Sequence, residues 1–504
     1  MEKIAQVGGK ISLERRWWWK IAHLALPLAF LAAMYFVFPF RQRFEFDLDE
    51  GLNVMKALLV ARGYPLYTQV WSDQPPLLTY LLAAVIRLYG ADIDAARSLV
   101  LLFSTALMAA AVHTLRLSWG FWHALAGALI LLMLPFYTTL SAAVMVGLPA
   151  IAIAVVSLLA LVLWHQRRQR RWLALSALLL GLSVLTKLFT GLLAPIFVVG
   201  LLLGERGAAS WRTRLQPAML WCLVFGGVVG GLGLLLVGPA NLDQLITTHL
   251  SAREDPAYLS LTHAQSISWH LRDSWAVLLL AGVGSLFAVL ERRWTAFYLL
   301  AWAALAYLLL SFHAPVWYHH QLLITIPAAM LAAVAVGEAV RLLPRVIRQR
   351  AFLDLRFALI LLALAGSTAT LAARARLTYH TFILPAFLIP PEAPSEGREA
   401  PFLVEMVNRA ARTHWAVTDL PMYAFRAGLL VPPPLAAITD KRLSSGEISE
   451  AQIIQVIETY KPEQVLLGRF DLPAVEAYLK EDYRRIYQWG RKTLYLHGEL
   501  KRNP

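Results

Sequence analysis

Apolar runs separated by short basic blocks follow one another along most of the chain. Each run is close to the roughly 20 residues that an α-helix needs to cross the hydrocarbon core of a bilayer. The pattern predicts an all-α polytopic membrane protein with about eleven spans. The runs lie near 21–40, 94–115, 121–141, 148–164, 173–204 (which Lys187 divides into two), 217–238, 274–290, 294–311, 320–340 and 356–373.

A further apolar segment, PPLLTYLLAAVIRLYG (75–90), is too short to be counted as a span. It holds about fourteen residues between its prolines and Gly90, and its leucines share one helical face opposite Arg87. The four arginines of WHQRRQRRW (164–172) fall on the cytoplasmic side only if this segment does not cross. We therefore predict that it lies along the outer interface as an amphipathic helix.

The positive-inside rule also sets the orientation of the chain. Counted from a cytoplasmic N-terminus, the basic loops fall inside, and loops 41–93 and 239–273 fall outside. The first apolar run is too long for a signal-peptide core and no A-x-A site follows it, so an uncleaved first span is expected. We predict a multi-pass protein of a prokaryotic plasma (inner) membrane.

The tail after the last span has the pattern of a linker and a small domain. We divide the chain into a membrane domain (1–373), a proline-rich linker (374–400) and an extracytoplasmic α/β domain (401–504). In the last of these, HWAVTD and EQVLLG predict strands, SEAQIIQVIETY predicts a helix, and RRIYQWGRKTLYLH predicts a terminal hairpin.

Composition agrees with the membrane interpretation. The chain is 58% hydrophobic and 15% charged. Its net charge of +14 comes from blocks between apolar runs, so we expect the lipid bilayer as a partner and no nucleic acid. The single cysteine, Cys222, excludes a disulfide within the chain and any zinc site built on cysteine pairs.

Four carboxylates crowd the stretch FEFDLDEG (44–51) directly after the first span. One interpretation is structural: Asp49 caps an interfacial helix whose Leu58 and Leu59 face lipid while Lys56 points toward head groups. The other is chemical: a carboxylate at the lipid–water boundary, with its pKa raised by burial and by Glu50 and Asp47, suits proton abstraction. The spacing alone leaves both open.

The order of motifs around this stretch resembles the dolichyl-phosphate-mannose–protein mannosyltransferase superfamily. These are membrane glycosyltransferases with the GT-C fold, and the lipid A aminoarabinose transferases belong with them. The resemblance covers roughly residues 20–340. It is carried by the Asp-Glu pair, Gly63-x-x-x-Tyr67, the Pro-Pro-Leu that opens the second interfacial helix, Ala96-Arg97, SVLTKLFTGLLAP (183–195) and WYHHQLLITIP (317–327).

The resemblance implies transfer of a sugar from a polyprenyl-phosphate donor to a hydroxyl of a protein, lipid or glycan acceptor on the outer face. Inversion in one step would use Asp49 as the general base, with Glu50 beside it. A leaving phosphate requires cationic or donor groups. The expected phosphate contacts are Arg97, Lys187, His319 and His320, and the other expected substrate contacts are Asp47, Tyr67 and Gln74.

Each phosphate candidate also has a structural interpretation. Arg97 could reach the head groups, Lys187 could mark a tight turn between two helices, and the two histidines could belong to an interfacial aromatic belt. No spacing supports a metal ligand. A divalent metal as a cofactor is left open.

Two positions depart from the family pattern. Gly147, in SAAVMVGLPAIAI, stands where a second acidic residue is expected, and Gln74 replaces a lysine of the aminoarabinose branch. The alternatives are therefore an inactive family member or scaffold, a lipid-linked glycan flippase or transporter, and a glycan polymerase or ligase. Charged residues sit almost wholly at span ends, which does not favour a transporter.

Overall fold

The computed structural model of the chain describes residues 25–38, 40–41, 43–203, 211–251, 267–268, 271–291, 293–313, 316–349, 358–359, 361–362, 364–369, 372 and 400–498. The predicted run 356–373 falls mostly outside these residues. So does the predicted linker, apart from Ala400.

Helices account for most of the described residues up to 349. They are α1 (Ala25–Phe36), α2 (Leu48–Ala61), α3 (Leu77–Tyr89), α4 (Ile93–Ser118), α5 (Phe121–Met133), α6 (Pro135–Leu140), α7 (Gly147–Arg167), α8 (Arg170–Val184), α9 (Leu193–Leu203), α10 (Trp211–Gly226), α11 (Gly233–Val237), α12 (Leu242–Ser251), α13 (Trp275–Leu290), α14 (Trp294–Ser311) and α15 (Leu322–Gln349).

Within the described residues, five helices are long and apolar enough to cross a membrane: Ile93–Ser118, Gly147–Arg167, Arg212–Val237, Trp294–Ser311 and Tyr318–Pro344. Helices α1, α3, α5 and α13 and the segment Leu188–Leu203 are apolar but shorter. The predicted span 217–238 forms one continuous helical segment up to Val237, because the π-helical turn Gly227–Leu232 joins α10 to α11. The polytopic helical architecture is confirmed, and the number of spans stays a prediction.

The helix that begins within FEFDLDEG starts at Leu48, two residues earlier than a cap at Asp49 requires. Its N-cap is Asp47, whose Oδ1 accepts the N–H of Asp49 at 2.9 Å. The expectation that its leucines face lipid is wrong, because Leu58 and Leu59 are buried within the protein. Lys56 is also only 3% exposed. Helix α2 is therefore an internal element, covered by the C-terminal part of the chain.

Residues 400–498 form the predicted α/β module. Its four strands are β1 (Ala416–Thr418), β2 (Gln464–Leu467), β3 (Tyr483–Trp489) and β4 (Lys492–His497). They are arranged in the order β1-β2-β4-β3, with β1 parallel to β2 and the other neighbours antiparallel. The predicted strands, helix and terminal hairpin are confirmed. The elements are α16 (Ala400–Asn408), β1 (Ala416–Thr418), α17 (Pro421–Arg426), α18 (Asp440–Ser444), α19 (Glu450–Tyr460), β2 (Gln464–Leu467), α20 (Pro473–Asp482), β3 (Tyr483–Trp489) and β4 (Lys492–His497).

The buried apolar residues form two clusters that do not follow the predicted domain boundaries. One lies among the membrane helices. The other joins α2, α3 and the start of α4 to the interior of the C-terminal module. The first loop and the module are thus one packed unit. They lie on the same side of the membrane helices, because Arg426 donates to the carbonyls of Arg43 and Phe44 at 2.8 Å.

Gly51 marks the closest approach of α2 to the module. A Cβ at this position would lie 2.6 Å from the backbone nitrogen of Met422 and 2.8 Å from Oε1 of Glu45. The backbone of Met422 cannot move without separating the two elements, so Gly51→Ala should destabilise the protein by about 1–3 kcal/mol through overpacking. Thermal unfolding in detergent and protease cleavage of the module would measure the effect. Gly282→Ala, in a helix where nothing lies within 4 Å of the new Cβ, is the matched control. Equal melting temperatures for the two variants would contradict the close contact.

Candidate active site

A cavity of about 720 Å³ lies where the first loop, the membrane helices and the C-terminal module meet. Six of the nine residues predicted for the site line it, namely Asp47, Asp49, Gln74, Lys187, His319 and His320. The wall is formed by segments from several parts of the chain. They are the first half of α2, residues 71 and 73–75, residues 145–147 at the start of α7, residues 187–189, residues 245–246 of α12, Leu309 of α14, His313, residues 317–320, and module residues 437, 439–441 and 469.

Asp49 enters the cavity from the first turn of α2. Its carboxylate is half-buried and has no hydrogen-bond donor among the described residues. Burial raises the pKa of Asp49, and the neighbouring Asp47 and Asp73 add to the rise, while Arg469 and Lys187 oppose it. A carboxylate that is not engaged and binds a proton more readily than usual has the properties of a general base.

Asp47 is held from both sides and therefore has a fixed position. One carboxylate oxygen caps α2, and the other accepts the hydroxyl of Tyr318 at 2.7 Å. The geometry ties the first loop to the segment that carries His319 and His320. Asp47 thereby places a second negative charge beside Asp49.

Lys187 lies in the break between α8 and the 3₁₀ turn Leu188–Leu192. Its ammonium has no hydrogen bond or ion pair with the described residues, and it lies 5.3 Å from the ring centroid of Phe189. Burial lowers the pKa of Lys187 to about 8, although Asp49 opposes the change. A cation without a partner in a cavity is suited to an anionic ligand.

Gly147 faces this ammonium. A Cβ built on Gly147 would lie 3.9 Å from Nζ of Lys187. An acidic side chain here, as the family pattern expects, would therefore be placed beside Lys187. The cavity retains other carboxylates, among them Asp73 and Asp440.

The histidines form an aromatic group on the same wall. His320 accepts the backbone N–H of Trp317 on Nδ1 at 3.2 Å, so its neutral ring carries the hydrogen on Nε2. Its ring contacts Phe189, His313 and His319 edge to face. Within the described residues, no group of three or more His, Cys, Asp or Glu side chains could hold a metal ion.

Glu50 and Arg97 do not line the cavity. They form an ion pair at 2.7 Å, and both side chains are 0% exposed. Arg97 also donates to the carbonyls of Phe40 and Arg43, both at 2.8 Å. Glu50 accepts the N–H of Val144, 3.1 Å away, in the loop that precedes α7. The pair fixes the backbone around Asp49, a role different from the catalytic and phosphate-binding roles that the sequence predicts for these two residues.

Tyr67 also lies behind the cavity wall. Its hydroxyl donates to the carbonyl of Gln74 at 2.8 Å, and its backbone has a positive φ of 71°, which is rare for a residue other than glycine. The carbonyl of Tyr67 accepts from Gln244 at 2.7 Å. Tyr67 therefore holds the loop that presents Gln74 and Asp73 to the cavity.

Several lining residues were missed in the sequence. On α2, Asn53 and Lys56 follow Asp49 at helical spacing and share its face, a periodic signal that the sequence does contain. Lys56 makes one long hydrogen bond, 3.4 Å, to Ser72. The module adds Lys441, which pairs with Asp73 at 2.9 Å, and Arg469. No local signal could place these two beside residues some 400 positions earlier.

The comparisons with known proteins agree with this architecture. Residues 73–229 match the family model described as dolichyl-phosphate-mannose-protein mannosyltransferase. The fold is similar to that of ArnT from Cupriavidus metallidurans, crystallised with undecaprenyl phosphate (TM-score 0.61, 14% identity, 95% of this chain and 97% of that chain) and in the apo state (TM-score 0.60, 13% identity, 96% and 98%). No curated protein matches the chain.

At 13–14% identity the structural similarity establishes the fold alone. The family model adds a similarity in sequence over residues 73–229. Together they confirm the resemblance predicted from the first loop: residues 73–229 match the mannosyltransferase family model, and the fold of the chain is similar to the GT-C fold of ArnT.

Proposed function

We propose that the protein transfers a sugar from a polyprenyl-phosphate donor to a hydroxyl acceptor at the outer face of the plasma membrane. The family match and the GT-C fold support a glycosyltransferase. The observation that carries the proposal is that one cavity contains the carboxylate of Asp49 and the ammonium of Lys187, neither of which has a hydrogen-bond or ion-pair partner among the described residues.

The two groups suit the two halves of an inverting displacement. Asp49 takes the proton of the acceptor hydroxyl as its oxygen bonds to the anomeric carbon of the sugar. The bond between that carbon and the phosphate oxygen breaks, and the electron pair leaves with the phosphate. The polyprenyl phosphate gains one negative charge in this step, and a cation placed near it stabilises the transition state.

The donor phosphate is assigned to the wall that carries Lys187, His319 and His320. ArnT from Cupriavidus metallidurans was crystallised with undecaprenyl phosphate, and this lipid is the first probe to use. We expect it to bind the purified full-length protein, and we expect mass spectrometry of the protein from membranes to detect a retained polyprenyl-phosphate sugar. A protein that binds neither lipid would contradict the proposal.

The titration of the two groups predicts a bell-shaped pH profile. Asp49 is a base only when ionised, so kcat/KM falls as the pH drops through its raised pKa. Lys187 is cationic below about pH 8, so kcat/KM for the donor falls again above that value. Lys187→Arg keeps the charge at all accessible pH values and should remove only the alkaline decline.

Steady-state rates of sugar transfer between pH 5 and about 10 would check this profile. Lys480→Arg, at an exposed position of the module, is the matched control and should keep the profile of the wild type. If the alkaline decline persists unchanged in Lys187→Arg, Lys187 does not titrate in this step.

A further inference from the structure

We propose that Arg469 of the C-terminal module binds the donor phosphate inside the cavity, so that the module completes the phosphate site. This inference rests on the proposed function and assigns to it a residue outside the membrane helices. It also gives the module a direct part in donor binding.

Arg469 lines the same cavity as Asp49 and Lys187. Its guanidinium lowers the pKa of Asp49 more than Lys187 does, and both cations act against the neighbouring Asp47 and Asp73. Arg469 thus places a positive charge in the cavity that contains Asp49.

The loop that presents Arg469 is held in place by one buried carboxylate. Asp419, directly after β1, accepts the backbone N–H groups of Gly468, Arg469 and Phe470 at 3.0, 2.8 and 2.9 Å. The guanidinium also lies 4.8 Å from the ring centroid of Phe470. These three hydrogen bonds to one carboxylate fix the backbone of the loop at Arg469. A binding residue on a fixed backbone is preorganised for its ligand.

One nitrogen of the guanidinium has no acceptor in the part of the chain that the structure describes. Its Nη2 donates to Asp440 at 3.1 Å, whereas Nη1 is buried and has no hydrogen-bond partner among the described residues. The side chain is 15% exposed. A buried donor without an acceptor is unfavourable, so a ligand that supplies an acceptor is favoured at this position.

A phosphate is the ligand whose chemistry fits best. The planar fork of arginine matches phosphate oxygens in a bidentate geometry, and its charge cannot be lost by deprotonation. Among the other cavity cations, Lys441 is already paired with Asp73. Arg469 and Lys187 therefore approach the phosphate from two different parts of the chain, and both can respond to the charge that develops on it.

The test is a binding measurement on the purified full-length protein, with undecaprenyl phosphate as the probe and no acceptor present. We expect Arg469→Met to weaken binding by roughly 10- to 100-fold, the range for loss of a charged hydrogen bond. Arg469→Lys keeps the charge without the fork and should fall between this variant and the wild type. Arg491→Met, at an exposed position of the module, is the control and should bind like the wild type.

Unchanged binding by Arg469→Met would overturn the proposal, even if transfer slows, because such an arginine would act on Asp49 or on the acceptor. If Arg469→Met does not fold, Arg469→Lys can still form the ion pair with Asp440 and decides the question in the same way. If the wild type itself does not bind undecaprenyl phosphate, the proposed function fails and this inference fails with it, an outcome distinct from a loss confined to the Arg469 variants.

Discussion

Asp49→Asn is expected to lower the rate of sugar transfer by about 10²- to 10⁴-fold, the contribution that general-base catalysis typically makes. The substitution removes the proton acceptor and keeps the shape of the side chain. The backbone N–H of Asp49 still donates to Asp47, so the start of α2 is retained. Steady-state kcat in detergent or liposomes would measure the loss.

Binding of undecaprenyl phosphate by the same variant should persist, because the cations that face the phosphate are unchanged. Asp471→Asn, at an exposed position of the module, serves as the matched control and should retain full activity. A fully active Asp49→Asn protein would show that another group accepts the proton, and Asp73 would be the next to examine, since it lines the same cavity.

Arg97→Met is expected to destabilise the protein by about 3–5 kcal/mol, because it leaves the fully buried carboxylate of Glu50 without its counter-charge. The carbonyls of Phe40 and Arg43 would lose donors at the same time. Thermal unfolding in detergent would report the loss. Arg484→Met, on an exposed position of β3, provides the control.

The double variant Glu50→Gln with Arg97→Met should recover part of that stability, since it no longer buries an unpaired charge. This recovery separates the two roles considered for Arg97. If Arg97→Met melted like the wild type and instead lost affinity for undecaprenyl phosphate, the phosphate contact predicted from the sequence would be right.

The sequence predicted the features that depend on local pattern. Three elements of the module have apolar residues at the spacing of the secondary structure that they form. They are the strand around Val417, the helix Glu450–Tyr460 and the terminal hairpin. The placement of Asp49 at the start of a helix was likewise a local inference, although the cap itself is Asp47.

Long-range contacts were beyond such reasoning. The sequence predicts a role for Glu50 in the chemistry beside Asp49, and it does not indicate the ion pair with Arg97, because no spacing rule applies to a partner 47 positions away. Lys56 was placed at the head groups because α2 looks amphipathic, and the prediction failed because the module covers the face that was expected to meet lipid. No local pattern indicates that Arg469 lines the cavity, because its position depends on the folding of the C-terminal sheet.

The continuous interior shared by residues 54–100 and the module limits how this protein can be recombined with a relative. Grafting a foreign module onto the chain after residue 400 would pair two halves of an interior that did not evolve together. A workable chimera has to exchange the first loop and the module jointly, with Gly51 kept at the seam where Met422 meets it.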